Sequence, residues 1–146
     1  MNKEKKQNFV KWFSEVGIDD VSSVGGKNAA LGEMYSNLTP LGVNVPDGFA
    51  ITADAYRHFF KQTGLDEKIK KILSDLNTKD IRNLQIRGKK AREAILKASL
   101  PQDLQDIITK SYAELGNKYG KNSAVAVRSS ATAEDLPGAS FAGQQE

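Results

Sequence analysis

Between Leu65 and Tyr119 the apolar residues recur three or four positions apart in three successive stretches, Leu65 to Leu76, Ile81 to Ala98 and Pro101 to Tyr119. This is the period of a helix with one covered face, so the middle of the chain is predicted to be a helical layer. Pro101 suits the first turn of the third helix, where a missing N–H removes no bond. Whatever the rest of the chain forms has to cover those apolar stripes.

The flanking thirds have a different texture. Phe9, Trp12, Phe13 and Val16 stand at helical spacing and predict a first helix over Asn8 to Val16 that stops at Gly17. Ala29, Ala30, Leu31, Met34, Tyr35 and Leu38 predict a second helix, placing the pair Gly25-Gly26 just before its N-terminus. Pro40-Leu41-Gly42 is turn chemistry, and Val43 to Ile51 reads as short extended segments broken by the turn Pro46-Asp47-Gly48. Thr52 is an N-cap candidate for a helix through Phe60, with Asp54 in its first turn and Ala55, Tyr56, Phe59 and Phe60 on its buried face. Gly64 ends it. After Tyr119 the short run Ala124-Val125-Ala126-Val127 predicts a buried strand with Arg128 leaving its end. The fold class expected is therefore mixed α and β (α+β), with helices packed on a small sheet. At 146 residues the chain suits one domain, which can bury roughly 70% of the surface its unfolded form exposes.

From Ser129 to Glu146 the sequence is rich in small and hydroxyl residues, contains Pro137, Gly138 and Gly143, and has no hydrophobic period. It reads as a long loop, and long loops in compact domains are usually functional or disordered. No closing strand or helix follows it, so truncation of a longer polypeptide is the expectation.

Composition removes several function classes. Twenty-one Lys and Arg against eighteen Asp and Glu leave a formal charge of +3, and the basic runs Lys68-Lys70-Lys71 and Arg87-Lys89-Lys90-Arg92 are interleaved with Asp66, Glu67, Asp75 and Glu93. That mixture describes a solvated helix face rather than a nucleic-acid footprint. Without cysteine there is no disulfide or thiolate chemistry, and a single histidine excludes a Cys/His zinc site. No run approaches the roughly 18 apolar residues of a membrane span, and the polar start Met1 to Lys6 lacks a signal-peptide core, so a cytoplasmic protein is expected.

Two constellations can carry chemistry. Gly25-Gly26-Lys27 before a helix offers unencumbered N–H groups, a positive dipole end and an ammonium, which together suit a phosphate; the alternative is a glycine turn with an exposed lysine. It is not a Walker A loop, because Val21 stands where the first glycine would fall and Asn28 where Ser or Thr would. Arg128-Ser129-Ser130 offers a bidentate guanidinium beside two hydroxyls; the alternative is an arginine paired with Glu134 or Asp135 to hold the loop. Two cations on separate segments suit a triphosphate, which needs charge from more than one direction. His58 is placed on the helix face opposite Tyr56, Phe59 and Phe60, as a surface histidine without a catalytic partner. Glu134-Asp135 is taken as solvated or paired with arginine, and no metal site is assigned.

Taken in order, Val24-Gly25-Gly26-Lys27-Asn28-Ala29-Ala30-Leu31-Gly32-Glu33-Met34, then Val45 to Thr52, then Ala126 to Asp135 and Ser140 to Glu146 resemble the N-terminal end of the phosphoenolpyruvate synthases (pyruvate, water dikinases) of the PEP-utilising enzyme family. The resemblance covers nearly the whole chain and is least diagnostic in the helical middle. It implies the N-terminal part of an ATP-grasp nucleotide-binding domain over residues 1–146. Its parent enzyme would convert ATP, pyruvate and water to AMP, phosphoenolpyruvate and phosphate through a phosphohistidine on a swivelling domain. It further implies that Lys27 and Arg128 bind the ATP phosphates and that the loop 129–146, through Gly138, Ser140 and Gly143, covers them. No catalytic residue is expected in the chain, since the phosphohistidine, the pyruvate-binding barrel and the magnesium ligands of the family lie further along. His58 does not match the phosphohistidine motif. The chain alone is therefore expected to be inactive, with ATP affinity near millimolar, about −4 kcal/mol. Rifampin phosphotransferases and pyruvate, phosphate dikinases share this domain and remain alternatives, although Asn28 and Gly32-Glu33-Met34 lean toward the synthases. A short binding or regulatory module without catalysis is the alternative of another class.

Overall fold

The computed structural model describes residues 8–132. By its internal contacts the chain divides into two compact units, residues 1–55 with 106–146, and residues 56–105.

The first unit is organised on two short antiparallel strands. Strand β1 (Val10–Trp12) pairs with β2 (Phe49–Ile51) in the register Val10 to Ile51, Lys11 to Ala50 and Trp12 to Phe49. This corrects the helix expected over Asn8 to Val16. The spacing of Phe9, Trp12, Phe13 and Val16 fits a helix, but pairing with β2 sets Trp12 edge-on to Phe49 at 5.6 Å between ring centroids, a cross-strand contact that a helix would lose. Only a 3-10 turn, Phe13–Glu15, follows β1. The Phe13 N–H donates to the Gly48 carbonyl at 3.0 Å and continues the pairing into the turn at Gly48.

Two helices come next, α1 (Val21–Val24) and α2 (Gly26–Leu38). Val16, Val24, Ala29 and Ala50 form the buried core of this unit, with Val21 packed against it. Gly32 is a point of close approach, because a Cβ there would lie 2.3 Å from the Val16 carbonyl oxygen. A 3-10 turn at Thr39–Leu41 closes on Gly42, which has a left-handed φ of 83°, as the Pro-Leu-Gly turn chemistry predicts. Thr52 behaves as the expected cap, accepting from the Ala55 N–H at 3.3 Å while donating to the Asn8 carbonyl at 2.8 Å.

The C-terminal half of α6 (Gln102–Tyr119) belongs to the same unit and ties down the Pro46-Asp47-Gly48 turn. The Asp47 N–H donates to the Tyr119 hydroxyl at 2.7 Å, and Asp47 Oδ1 accepts from the Gly48 N–H at 2.8 Å. Lys118 pairs with Asp47 Oδ2 and sits 5.0 Å over the Trp12 ring centroid. The Asp47 hydrogen bond holds the Lys118 ammonium above the usual lysine range.

Helices α3 (Ala53–Thr63), α4 (Leu65–Leu73), α5 (Ile81–Leu96) and the start of α6 supply the second unit. Their positions agree with the periodicity of the sequence. Gly64 stops α3 with a left-handed φ of 65°, and Asp80 caps α5 by accepting from the Arg82 and Asn83 N–H groups at 2.9 and 3.2 Å. Leu65 and Leu104 are buried, and α4 packs on α5.

Three sequence expectations need correction. Tyr56 is 58% exposed, whereas the covered side of α3 holds Ala55, His58, Phe59 and Phe60, so that Tyr56 alone of the four residues expected there lies outside it. His58 is accordingly not a surface residue: its side chain is only 13% exposed, and Nε2 lies 2.8 Å from Asp103 Oδ2. Ala124 to Val127 is not a buried strand, and Val127 is 92% exposed. A strand is made by its ladder, and among the described residues β1 and β2 pair only with each other. No helix of the described residues is long and apolar enough to cross a membrane.

Candidate phosphate-binding site

The break between α1 and α2 is a single residue. Gly25 closes α1 by donating its N–H to the Val21 carbonyl at 2.8 Å and opens α2 by accepting from the Ala29 N–H at 3.0 Å. It does so at φ 82° and ψ 158°, a conformation that a side chain strongly disfavours. The helix of 13 residues that follows therefore starts abruptly at Gly26, with the positive end of its dipole at this turn.

Because Gly25 turns the chain, the Val24 carbonyl does not receive an ordinary helical N–H. The side chain of Asn28 takes that place, donating Nδ2 to the Val24 oxygen at 2.7 Å. This is the residue that departs from a Walker A pattern. Its amide is committed to the backbone of the turn instead of offering a hydroxyl to a metal.

The Val24 oxygen has a second lone pair, and the second motif claims it: Ser130 Oγ donates to it at 3.1 Å across more than a hundred residues of sequence. The approach is close. A Cβ on Gly25 would meet Ser130 Oγ at 2.2 Å and the Ala131 carbonyl oxygen at 2.9 Å. The two motifs read separately in the sequence thus share one carbonyl in the structure. Lys27 lies in the first turn of α2, and Arg128 two residues before Ser130; both are exposed. At the other end of the segment, the Tyr112 hydroxyl donates to the Ser123 carbonyl at 2.9 Å.

Sequence reasoning offered the hydroxyls of Ser129 and Ser130 as phosphate ligands, and the structure gives the Ser130 hydroxyl to the Val24 carbonyl. It did not find the role of Asn28, whose signal is a turn next to a side chain able to bond its backbone, or the Asp47–Lys118 pair, which joins two side chains 71 residues apart and leaves no local signal. Gly138, Ser140, Gly143, Glu134 and Asp135 lie outside the described residues.

Residues 21–146 match the family model described as the pyruvate phosphate dikinase AMP/ATP-binding domain, which is most of the chain and includes both motifs. The chain belongs to this family. Across 147 aligned residues it is 52% identical to phosphoenolpyruvate synthase of Synechocystis, covering 97% of the chain and 18% of that protein, and 52% identical to that of Aquifex aeolicus, covering 100% of the chain and 17% of the relative. Phosphoenolpyruvate synthase of Escherichia coli is 46% identical over 138 residues, 94% of the chain and 17% of the relative. The chain therefore spans less than a fifth of the length of these curated relatives. A family of AMP/ATP-binding domains is consistent with a mixed fold of helices on a small sheet, and with nucleotide as the ligand class.

Proposed function

We propose that Lys27 and Arg128 bind the phosphates of ATP, and that the chain serves as the N-terminal ATP-binding part of a phosphoenolpyruvate synthase. The observation that carries this reading is the hydrogen bond from Ser130 Oγ to the Val24 carbonyl, which sets the arginine segment beside the glycine turn that starts α2. An ammonium on one segment and a guanidinium on the other, beside a helix N-terminus, suit the electrostatic requirement of a polyphosphate. Each charge-assisted contact contributes about 1.5–3 kcal/mol, enough to orient a nucleotide and too little for tight binding by two side chains alone.

In this reading the whole protein converts ATP, pyruvate and water to AMP, phosphoenolpyruvate and phosphate in the cytoplasm. Its phosphohistidine and pyruvate-binding domains would be the partners of the residues described here. The domain would be an ATP-grasp fold, with residues 129–146 covering the phosphates through Gly138, Ser140 and Gly143. Magnesium would arrive with the nucleotide, and no ligand for it is assigned among residues 8–132. The names of the relatives favour the synthase over a rifampin phosphotransferase or a pyruvate, phosphate dikinase.

The test is ATP-dependent phosphorylation of the full-length protein carrying Lys27→Ala or Arg128→Ala. Each variant should lose at least about tenfold in ATP affinity, the equivalent of one charge-assisted contact, while remaining folded. Unchanged phosphorylation in both refutes the assignment. A heteronuclear NMR titration with ATP and magnesium locates the ligand independently, with shifts expected at Gly25, Gly26, Lys27 and Arg128.

A further inference from the structure

We propose that Ser130 and Gly25 act together as a positioning latch that fixes the spacing of the two phosphate-binding cations. The proposal rests on the phosphate reading of Lys27 and Arg128 and goes beyond it, because it gives Ser130 and Gly25 a role through the two cations.

The stretch Ala124 to Arg128 belongs to no strand ladder among the described residues, so sheet pairing does not set where its side chains stand. An exposed guanidinium on such a segment samples many positions, and ordering it on a phosphate consumes binding energy. The Ser130 hydrogen bond reduces that freedom. Ser130 is two residues from Arg128, at most about 7 Å along the backbone, and its acceptor is the residue before the Gly25 turn that starts the Lys27 helix. One hydrogen bond therefore references both cations to the same carbonyl.

Gly25 is the other half of the device. The segment can lie this close only because nothing projects from Gly25, where a Cβ would stand 2.2 Å from Ser130 Oγ and 2.9 Å from the Ala131 oxygen. The first is the end of a small side chain that can rotate away, but the second is backbone and cannot. Any side chain at 25 must push the Ser130-Ala131 strip outward and carry Arg128 with it. Asn28 completes the arrangement from the other side, since its 2.7 Å bond to the same oxygen holds that carbonyl in place for Ser130.

A serine that merely stabilised the fold would alter melting behaviour and leave the communication between Lys27 and Arg128 intact. A latch does the reverse. The experiment is a double-mutant cycle on ATP affinity in the full-length protein, measured calorimetrically with ATP and magnesium. Lys27→Ala and Arg128→Ala are combined first in the parent and then in Ser130→Ala. In the parent the two substitutions should be non-additive, because both cations grip one polyphosphate; in Ser130→Ala that coupling should vanish. Ser130→Ala by itself should weaken ATP roughly three- to tenfold, with the melting temperature nearly unchanged, and Ser130→Thr, which keeps the hydroxyl, should restore it. Gly25→Ala should weaken ATP more than Ser130→Ala does, since it adds a backbone clash at Ala131 to the displacement of the serine hydroxyl. If Gly25→Ala does not fold, the serine series still decides the matter. Coupling that survives in Ser130→Ala, or affinity that Ser130→Ala leaves untouched, overturns the latch while leaving the phosphate reading standing. Indifference of ATP affinity to both Lys27→Ala and Arg128→Ala overturns the phosphate reading itself, and the latch with it.

Discussion

Lys118→Met isolates the contribution of one half-exposed charge to a buried turn. In the parent, Lys118 is 51% exposed, whereas the Asp47 side chain it pairs with is 1% exposed. Methionine keeps the length and apolar stem of lysine, so packing along Trp12 is largely retained while the ammonium is lost. The loss has two parts. Removing the cation from its place over the Trp12 ring, 5.0 Å from the centroid, costs about 0.5–1 kcal/mol at an exposed site. Leaving Asp47 Oδ2 without its donor costs about 1–3 kcal/mol, and the lower half of that range applies because water reaches the site on the lysine side. The expected destabilisation is therefore about 2 kcal/mol, or about 6 °C in melting temperature for a chain of this size. Urea unfolding at pH 7 measures it directly. The sign with pH follows from the raised Lys118 value. A cation held charged above its unfolded value contributes fully below the ordinary lysine range and loses that contribution as pH climbs through the folded value. The gap between parent and variant should thus be flat from about pH 6 to 9 and close only in stronger alkali. Asp47→Asn combined with Lys118→Met should recover most of the loss, because the amide oxygen can still accept from the Gly48 N–H. A single variant within about 0.5 kcal/mol of the parent at pH 7 would refute the reasoning.

Three other substitutions test separate elements. Gly32→Ala forces a methyl group to within 2.3 Å of the Val16 carbonyl, and a loss of about 3 kcal/mol in urea unfolding is expected; a neutral result means that α2 does not approach so closely. Asp20 accepts from Lys11 Nζ at 2.5 Å and from the Gly17 N–H at 3.0 Å, and these bonds, led by the lysine, hold its carboxyl below the usual aspartate range. Its contribution is full above the ordinary aspartate value of about 3.9 and is lost as pH falls through the lower folded value, so Asp20→Asn should cost about 1 kcal/mol at pH 7 and progressively less in acid. His58→Ala should lower stability by about 1 kcal/mol through its lost contact with Asp103 and leave ATP affinity unchanged; altered affinity would give His58 a part in binding.

Most of the helical content was legible because it depends on local pattern. The stripes at Leu65, Ile81 and Gln102 and onward repeat for several turns, Gly64 and Thr52 mark ends by backbone chemistry, and few tertiary contacts can override so long a signal. Failure came where a short segment depends on a distant partner. Phe9 to Val16 carries a helical spacing over barely two turns, and pairing with Phe49 to Ile51 outweighs it. Ala124 to Val127 has strand composition, but composition does not supply the neighbour that would bury it. His58 shares the covered side of α3 with Ala55, Phe59 and Phe60, and a face centred on the aromatics puts Tyr56 in its place. At the candidate site, Lys27 and Arg128 stand out in the sequence only as charges next to glycine or hydroxyl residues. Their common carbonyl does not, since a hydrogen bond between residues 24 and 130 leaves no periodic trace in a sequence.

The bare segment at Val125 and Val127 also bears on how the protein behaves in concentrated solution. Two valines on alternate positions, flanked by small alanines and outside any ladder among the described residues, make a sticky ribbon that can pair with a like ribbon on a neighbouring molecule. Such ribbons are commonly bracketed by charges that discourage stacking, and here the brackets are Lys121 and Arg128. The arginine proposed for the nucleotide thus also flanks this apolar stretch. A substitution at 128 that precipitates has reported on the ribbon before it reports on the ligand, and light scattering belongs beside every affinity measured at that position.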